Sequence, residues 1–190
     1  MIIAVKDKDR VVIGYTLADT WGKLTDADYV DEENLAIRFS ETGKIFACSD
    51  MNRSSDILLF DDDLINMEIN PKTVVKEIIP YIKEKLKEND RPINSEGSWR
   101  NALLICDDEH IYDIGPKFAF CEGVDYICHG YAIESILSAL DETKNLPAEE
   151  RIVNAVRFYS RLCRESLFPL VITDTKTKQL KAIYEGETLK

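Results

Sequence analysis

The sequence contains no run of apolar residues near the ~20 that a membrane-spanning helix needs. It is also poor in basic residues, with 24 Lys and Arg against 35 Asp and Glu and a formal net charge of -11. Nucleic-acid binding requires a basic face, so the composition predicts no nucleic-acid partner and no membrane partner. An acidic surface that keeps the protein dispersed explains the net charge.

A secretion signal is not visible either. The first apolar residues are interrupted at once by the charged segment Lys6–Arg10, where a signal peptide would have a basic region followed by an apolar one. Five cysteines, an odd number at irregular spacing, are typical of free thiols in a reducing compartment. The sequence therefore predicts a cytoplasmic location.

Motifs for cofactors and metals are missing as well. There is no G-x-G-x-x-G or Walker sequence, no Cys-x-x-Cys or His-x-x-x-His pair and no EF-hand loop. Acidic runs such as Asp61–Asp63, and the pair Asp26 and Asp28, are interpreted as solvated loops. A metal site built from the cysteines and histidines is a weaker alternative, because free cysteines are commonly buried. We predict no cofactor and no metal.

Strand-like patterns come in pairs. Met1–Val5 and Val11–Thr16 flank a charged turn and predict a hairpin, and Leu35–Phe39 with Lys44–Cys48 predict a second one. Further strands are expected at 102–106, around His110–Tyr112, at 168–173 and at Leu180–Tyr184. The short segment Ile57–Phe60 fits a strand or the start of a helix.

Three helices are predicted. The first begins at Asn70-Pro71, with Asn as N-cap, and extends to about residue 89 with a kink or a break at Pro80. The second follows the loop Cys128–Gly130 and begins at Tyr131. The third begins at Pro147 and continues to Cys163. Together the elements predict one α+β domain, residues 1–190, with sheets between helices.

This order resembles the proteasome β-subunit and HslV family, in which a strand pair leads through a glycine loop into two helices and back into the sheet. The opening hairpin matches that family too. The resemblance implies the four-layer αββα sandwich of N-terminal nucleophile (Ntn) hydrolases, and it implies self-association into rings.

The first residue departs from the family. Its catalysts begin with threonine, whose α-amine, with a pKa near ~8, takes the proton from the hydroxyl. This chain begins with Met1, whose thioether cannot be deprotonated. Removal of Met1 is disfavoured by the large Ile2. The nearest alternative junction, Gly14-Tyr15-Thr16, would discard the first strand.

The other family positions are altered as well. The acidic position falls near Thr16 or Leu17, with Asp19 slightly beyond, and the lysine position falls near Ala36 or Ile37, with Arg38 the nearest base. Of the usual Gly-Ser-Gly loop, the serine is replaced by His129. The vestigial cleft is thus predicted to contain Met1, Thr16, Asp19, Arg38 and His129. His129 fits a base or ligand at a helix start, or a loop histidine bonded to backbone.

Two functions from different classes follow. In the first, a proteasome-like protein without threonine peptidase activity acts by self-assembly, as a homo-oligomer, or by binding a protein partner. In the second, an active amidohydrolase or peptidase has a processed N-terminus or a repurposed cleft. A lesser third hypothesis is small-ligand binding in the vestigial cleft.

Overall fold

The structure is a computed structural model that describes residues 1–16, 36–49, 52–91, 93, 97–99, 101–130, 133–163 and 166–187. It contains two compact units, one formed by Met1–Asp31 with Asp125–Lys190 and the other by Glu32–Val124. Each unit has a five-stranded sheet, and every strand pair within the described residues is antiparallel. The prediction of two antiparallel sheets in an α+β protein is confirmed. The four-layer arrangement and the single domain stay predictions.

The first unit is built around the predicted hairpin. Its sheet has the order β10-β9-β2-β1-β8. These strands are β1 (Ile2–Asp7), β2 (Arg10–Thr16), β8 (Tyr126–His129), β9 (Leu170–Asp174) and β10 (Lys181–Ile183). Strands β1 and β2 occupy interior positions, which explains why both read as nearly continuous apolar runs.

Two helices, α5 (Ile133–Glu142) and α6 (Ala148–Cys163), pack against each other and against this sheet. Their apolar faces form one buried cluster with side chains of the strands. The approach of α6 to β2 is close: a Cβ added to Gly14 would lie 2.5 Å from Cγ2 of Ile152. A glycine at this position therefore allows the helix to sit directly on the sheet.

An ionic cluster lies at the turn between β1 and β2. The Arg10 guanidinium lies 2.7 Å from a carboxylate oxygen of Glu149 and 3.4 Å from one of Asp174. The Asp174 carboxylate also accepts hydrogen bonds from the amides of Lys176 and Thr177 and from the Thr177 hydroxyl. Burial by itself raises the pKa of Asp174, but the hydrogen bonds from Thr177 and Lys176 and the charge of Arg10 outweigh it, so the pKa lies below its usual 3.8.

The Asp174 carboxylate should make stability depend on pH. Its lowered pKa contributes stability that is present above the unfolded pKa of 3.8 and is lost as the pH falls through the lower folded value. We expect Asp174→Asn to lower the free energy of unfolding by about 1–2 kcal/mol at pH 7 and by much less near pH 2. Urea unfolding at both pH values checks this. Asp9→Asn, at an 81 % exposed side chain, is the control, and a difference that stays constant with pH would contradict the assignment.

The second unit contains the other sheet, in the order β3-β4-β5-β6-β7. Its strands are β3 (Ile37–Phe39), β4 (Ile45–Cys48), β5 (Leu103–Cys106), β6 (Ile111–Ile114) and β7 (Phe120–Glu122). Its helices are α1 (Arg53–Leu59), α2 (Asp62–Ile65), α3 (Pro71–Thr73) and α4 (Ile79–Glu88), with a π-helical segment at Val74–Ile78. The undecided segment Ile57–Phe60 thus belongs mainly to a helix.

The helix predicted from residue 71 has the expected start and an unexpected middle. Asn70 caps it, because its side chain accepts hydrogen bonds from the amides of Lys72 and Thr73. The π-helical turn directly precedes Pro80. Pro80 has no N–H and would clash with the carbonyl four residues earlier, and the wider turn accommodates both effects. The helix therefore continues past Pro80.

Two strands were not predicted from the sequence. Strand β7 is short, and β8 includes Cys128 and His129, which the sequence predicted to lie in a loop before a helix. That prediction was wrong because β8 pairs with β1, with His129 opposite Ile2 and Cys128 opposite Ile3. Strand pairing across more than a hundred residues of sequence is a tertiary effect that local propensity does not report.

Candidate functional site

Three of the positions singled out from the sequence lie side by side in the first unit. Strand β1 lies between β8 and β2, so Met1, which directly precedes β1, has a neighbouring segment of chain on each side. On one side, the Thr16 amide donates a hydrogen bond of 3.0 Å to the Met1 carbonyl. On the other, a Cβ added to Gly130 would lie 2.9 Å from the Met1 Cα. The row Gly130–Met1–Thr16 is the candidate site.

The backbone conformation at Gly130 explains why a glycine follows β8. Its φ is +133°, a conformation that residues with a side chain rarely adopt, and the space where a Cβ would go is filled by Met1. The family resemblance placed a glycine loop here. In this structure the glycine lets the backbone approach Met1, the residue before β1.

The Met1 side chain is part of the hydrophobic core. It is 3 % exposed and belongs to the same buried cluster as Ile3, Val5 and the inner faces of α5 and α6. A buried thioether has no proton to lose and stabilises the unit by removing apolar surface from water. The position where the family resemblance implies a nucleophile contributes packing here.

Thr16 offers neither the charge nor the proton-transfer ability of a carboxylate. It is 1 % exposed, and its hydroxyl oxygen is buried with no hydrogen-bond partner among the described residues. A buried hydroxyl without a hydrogen-bond partner lowers the free energy of unfolding by about 1–3 kcal/mol. The structure places Thr16 beside Met1, so a neutral hydroxyl stands where the family resemblance implies a carboxylate.

A thiol that the sequence did not select lies beside the row. Cys128 is 2 % exposed and belongs to the buried cluster that includes Met1. Burial raises the pKa of the Cys128 thiol to about 12, and the positive charge of the Met1 α-amine acts in the opposite direction without offsetting it. The thiol is therefore neutral at physiological pH and is not an activated nucleophile.

His129 projects to the other face of the sheet. Successive residues of a strand point to opposite faces, and Cys128 points into the cluster beneath the helices. His129, opposite Ile2 and half-buried, therefore points away from that cluster. Cys128 and His129 do not form a thiol–imidazole pair, as expected for neighbours in one strand.

The two remaining candidates are Asp19 and Arg38. Asp19 lies outside the described residues. Arg38 belongs to the second unit, in β3, where its guanidinium lies 4.1 Å from the centre of the Phe60 ring and donates a hydrogen bond to the Ile37 carbonyl. It lines an open cleft of about 410 Å³ with acidic and apolar walls. The cleft is lined by Arg38, Phe39, Glu41, Leu59, Phe60, Asp62, Ile65 and Asn66.

Within the described part of the chain, no group of three or more His, Cys, Asp and Glu side chains could hold a metal ion. Among the helices that the structure describes, none combines the length and apolar character that crossing a bilayer requires.

Comparison of the amino-acid sequence with protein-family models and with curated proteins finds no match. Comparison of structures does. BPH from Thiobacillus denitrificans in complex with epoxomicin superposes with a TM-score of 0.69 and 20 % identity, covering 91 % of this chain and 96 % of that one. Anbu, the ancestral β-subunit from Yersinia bercovieri, gives a TM-score of 0.61 and 17 % identity, covering 98 % and 88 %. The chain shares the proteasome-like fold of these two proteins.

The likeness to these structures, at 17–20 % identity, supports a proteasome-like fold, and the four-layer αββα arrangement stays a prediction. Sequence reasoning named Met1, Thr16 and Gly130, which the structure places side by side. It missed Cys128 as a neighbour of Met1. The short run of strand-forming residues Tyr126–Cys128, which follows the turn-prone Gly123, is the signal that could have identified β8.

Proposed function

We propose that this proteasome-like protein lacks threonine-type peptidase activity and works through assembly with copies of itself. The observation that carries the first half is the Met1 side chain, which is 3 % exposed in an apolar cluster at the position where the related catalysts have a hydroxyl. The neighbouring Thr16 hydroxyl has no base beside it among the described residues, and the Cys128 thiol is held neutral. None of the three side chains supplies an activated nucleophile.

The alternative of a processed N-terminus has little structural support. Cleavage before Thr16 would place a hydroxyl residue at a new terminus, but it would remove β1 and nearly all of β2. These are interior strands: β8 would lose the one strand it pairs with among the described residues, and β9 would keep only β10. A sheet cannot keep its core after losing both, so such a product is expected to unfold.

Assembly is supported by the kind of protein that shares the fold. The Yersinia bercovieri neighbour is described as an ancestral β-subunit, that is, as one component of a larger particle. Self-association needs surface complementarity and none of the catalytic groups, so it is compatible with the altered row at Met1.

A peptidase assay tests the first half of the proposal. We expect purified protein to cleave fluorogenic peptide amides no faster than the uncatalysed background. Intact mass should match a chain that starts at Met1. Epoxomicin, the compound in the Thiobacillus denitrificans complex, should change neither the mass nor the melting temperature, because the row offers it no nucleophile.

The Thiobacillus denitrificans protein, handled identically, is the positive control for epoxomicin binding. A shortened chain that starts with Thr, Ser or Cys, or a mass increase with epoxomicin, would refute the proposal and favour an active amidohydrolase. The second half is tested by light scattering. A particle of one chain mass at every concentration would remove self-assembly.

A further inference from the structure

The turn between β5 and β6 combines acidic side chains with a histidine. The segment Asp107–Glu109 is acidic at every position, and His110 follows it directly before β6. One carboxylate oxygen of Asp107, Oδ1, accepts hydrogen bonds from the amides of Glu109 and His110, at 2.8 and 2.7 Å. The same oxygen lies 3.1 Å from Nδ1 of His110. Because Oδ1 makes all the contacts of this carboxylate with described residues, Oδ2 of Asp107 is left for another donor.

A buried tyrosine side chain lies beside this turn. Tyr112 is 4 % exposed. Its ring centre lies 5.6 Å from that of His110 and 6.4 Å from that of Phe120, with an angle of 13° between the stacked planes of Tyr112 and Phe120. These two ring contacts fix the direction of the side chain, whereas no described residue forms a hydrogen bond with its hydroxyl. Buried polar groups are normally hydrogen-bonded, so this hydroxyl lacks a partner that another molecule can supply.

Three carboxylates surround the Tyr112 hydroxyl. Glu122 lies directly opposite Tyr112 in the β6–β7 pair, so their side chains share one face of the sheet. Burial raises the pKa of Tyr112 to about 12, and three negative charges act in the same direction, those of Asp107, Glu122 and Glu109. Within the described residues, no Lys or Arg side chain pairs with these carboxylates, and His110 is the one basic group in contact with them. The cluster therefore concentrates negative charge without a permanent cation.

We propose that the cluster of Asp107, Glu109, Tyr112 and Glu122 binds the primary ammonium group of an organic amine. An ammonium group has three N–H donors spread around one nitrogen. The acceptors available to it come from three segments of chain, namely the turn, β6 and β7. A planar guanidinium is better suited to the two oxygens of a single carboxylate. All four residues lie in the second unit, and the inference does not depend on the proposed assembly.

A metal ion fits this cluster less well than an amine does. Among the described residues, no three His, Cys, Asp or Glu side chains are arranged to hold a metal ion. An ammonium group spans wider separations, because its hydrogen bonds to oxygen are about 2.8 Å long, whereas Mg²⁺ requires oxygen ligands at about 2.1 Å. The net charge of -11 attracts any cation to the surface of this protein, so a test has to separate the site from general attraction.

Titration calorimetry with spermidine at low ionic strength provides this test. We expect Tyr112→Phe to weaken saturable spermidine binding at least ~10-fold, as for the loss of a hydrogen bond to a charged group. The substitution keeps the ring that stacks on Phe120 and leaves the net charge unchanged, so general attraction is not affected. Tyr126→Phe is the matched control in the first unit, since the Tyr126 hydroxyl lies 3.4 Å from a single carboxylate, that of Asp141. It should bind spermidine like the wild type.

A charge variant keeps the test decisive even if Tyr112→Phe folds poorly. Glu122→Gln should weaken spermidine binding at least ~5-fold, because it removes one of the charges around the hydroxyl. Glu77→Gln makes the same change of charge at an exposed residue of the π-helical segment and should leave binding unchanged. Circular dichroism shows that each variant is folded. In ¹⁵N-labelled wild-type protein, spermidine should shift the amide signals of residues 107–112 and 120–122.

Two blocked tripeptides identify the source of the ammonium group. One has a central lysine, which presents the group as a protein side chain does, and the other has a central leucine and should not bind. Binding of both spermidine and the lysine peptide supports a lysine of a protein partner as the ligand. Binding of spermidine without the lysine peptide supports a free polyamine.

Three results would overturn the inference. The first is the absence of saturable spermidine binding at low ionic strength. The second is wild-type affinity in both Tyr112→Phe and Glu122→Gln, which would mean general attraction to an acidic surface. The third is a set of amide shifts confined to other parts of the chain. None of them alters the proposed function, because the row Gly130–Met1–Thr16 belongs to the first unit.

Discussion

Native Cys128 is expected to react with iodoacetamide at least ~30-fold more slowly than an ordinary cysteine. Burial moves the pKa of its thiol from 9.0 to about 12, so the thiolate fraction at neutral pH falls about a thousandfold. The higher basicity makes the remaining thiolate more nucleophilic, which restores ~20- to 30-fold. Restricted access to a side chain that is 2 % exposed slows the reaction further.

This experiment decides whether the neighbourhood of Met1 holds a repurposed nucleophile. Peptide mapping of a labelling time course at pH 7 compares Cys128 with the exposed Cys121 in the same sample. Cys48 and Cys106 are buried and provide a protected reference. In guanidinium chloride, all four should label at similar rates. Labelling of native Cys128 as fast as Cys121 would mean that the Met1 α-amine activates the thiol, and a thiol-based activity would then replace the proposed loss of catalysis.

Replacing Gly14 by alanine should destabilise the first unit by about 1–3 kcal/mol, because the added methyl would lie 2.5 Å from Cγ2 of the fully buried Ile152. The backbone at Gly14 is not in the left-handed region, so the effect reports packing between β2 and α6. Ile152→Ala should cost about 2–5 kcal/mol, because it leaves a cavity in the same place.

The double variant Gly14→Ala/Ile152→Ala is expected to lose about 1–2 kcal/mol less free energy of unfolding than the two single variants lose together. The methyl group added at residue 14 occupies part of the cavity that Ile152→Ala leaves. Urea unfolding of the four proteins measures this coupling. Gly115→Ala, where a Cβ would find its nearest atom at 3.7 Å, is the control and should be nearly neutral. Additive effects would show that α6 does not sit on β2 as described.

Several parts of the fold could be read from local sequence. The hairpin Met1–Thr16 follows from apolar runs around a charged turn, and its register is observed from Ile2 opposite Tyr15 to Asp7 opposite Arg10. The start of the helix at Asn70 follows from side-chain capping, which is a short-range interaction. Such features depend on residues within about one turn of each other, so a single sequence contains the information.

The candidate site was only partly predictable, because part of it depends on strand pairing between distant segments of the chain. Met1 and Thr16 were found together because they are joined by a hairpin, whereas Gly130 and Cys128 reach Met1 through the pairing of β8 with β1. Arg38 belongs to the second unit, where it lines a cleft beside Phe60.

The sequence by itself determined the elements: two strand pairs at the start, a capped helix with Pro80 inside it, and a methionine where the family resemblance implies threonine. Those are properties of side-chain chemistry and local periodicity. Only the tertiary structure decided that Met1 is a core residue and that Cys128 is buried beside its amine. It also decided that Phe158 and Leu162 remain outside on α6. Burial is a collective property, since a side chain is removed from water only by residues that the fold brings to it from elsewhere in the chain.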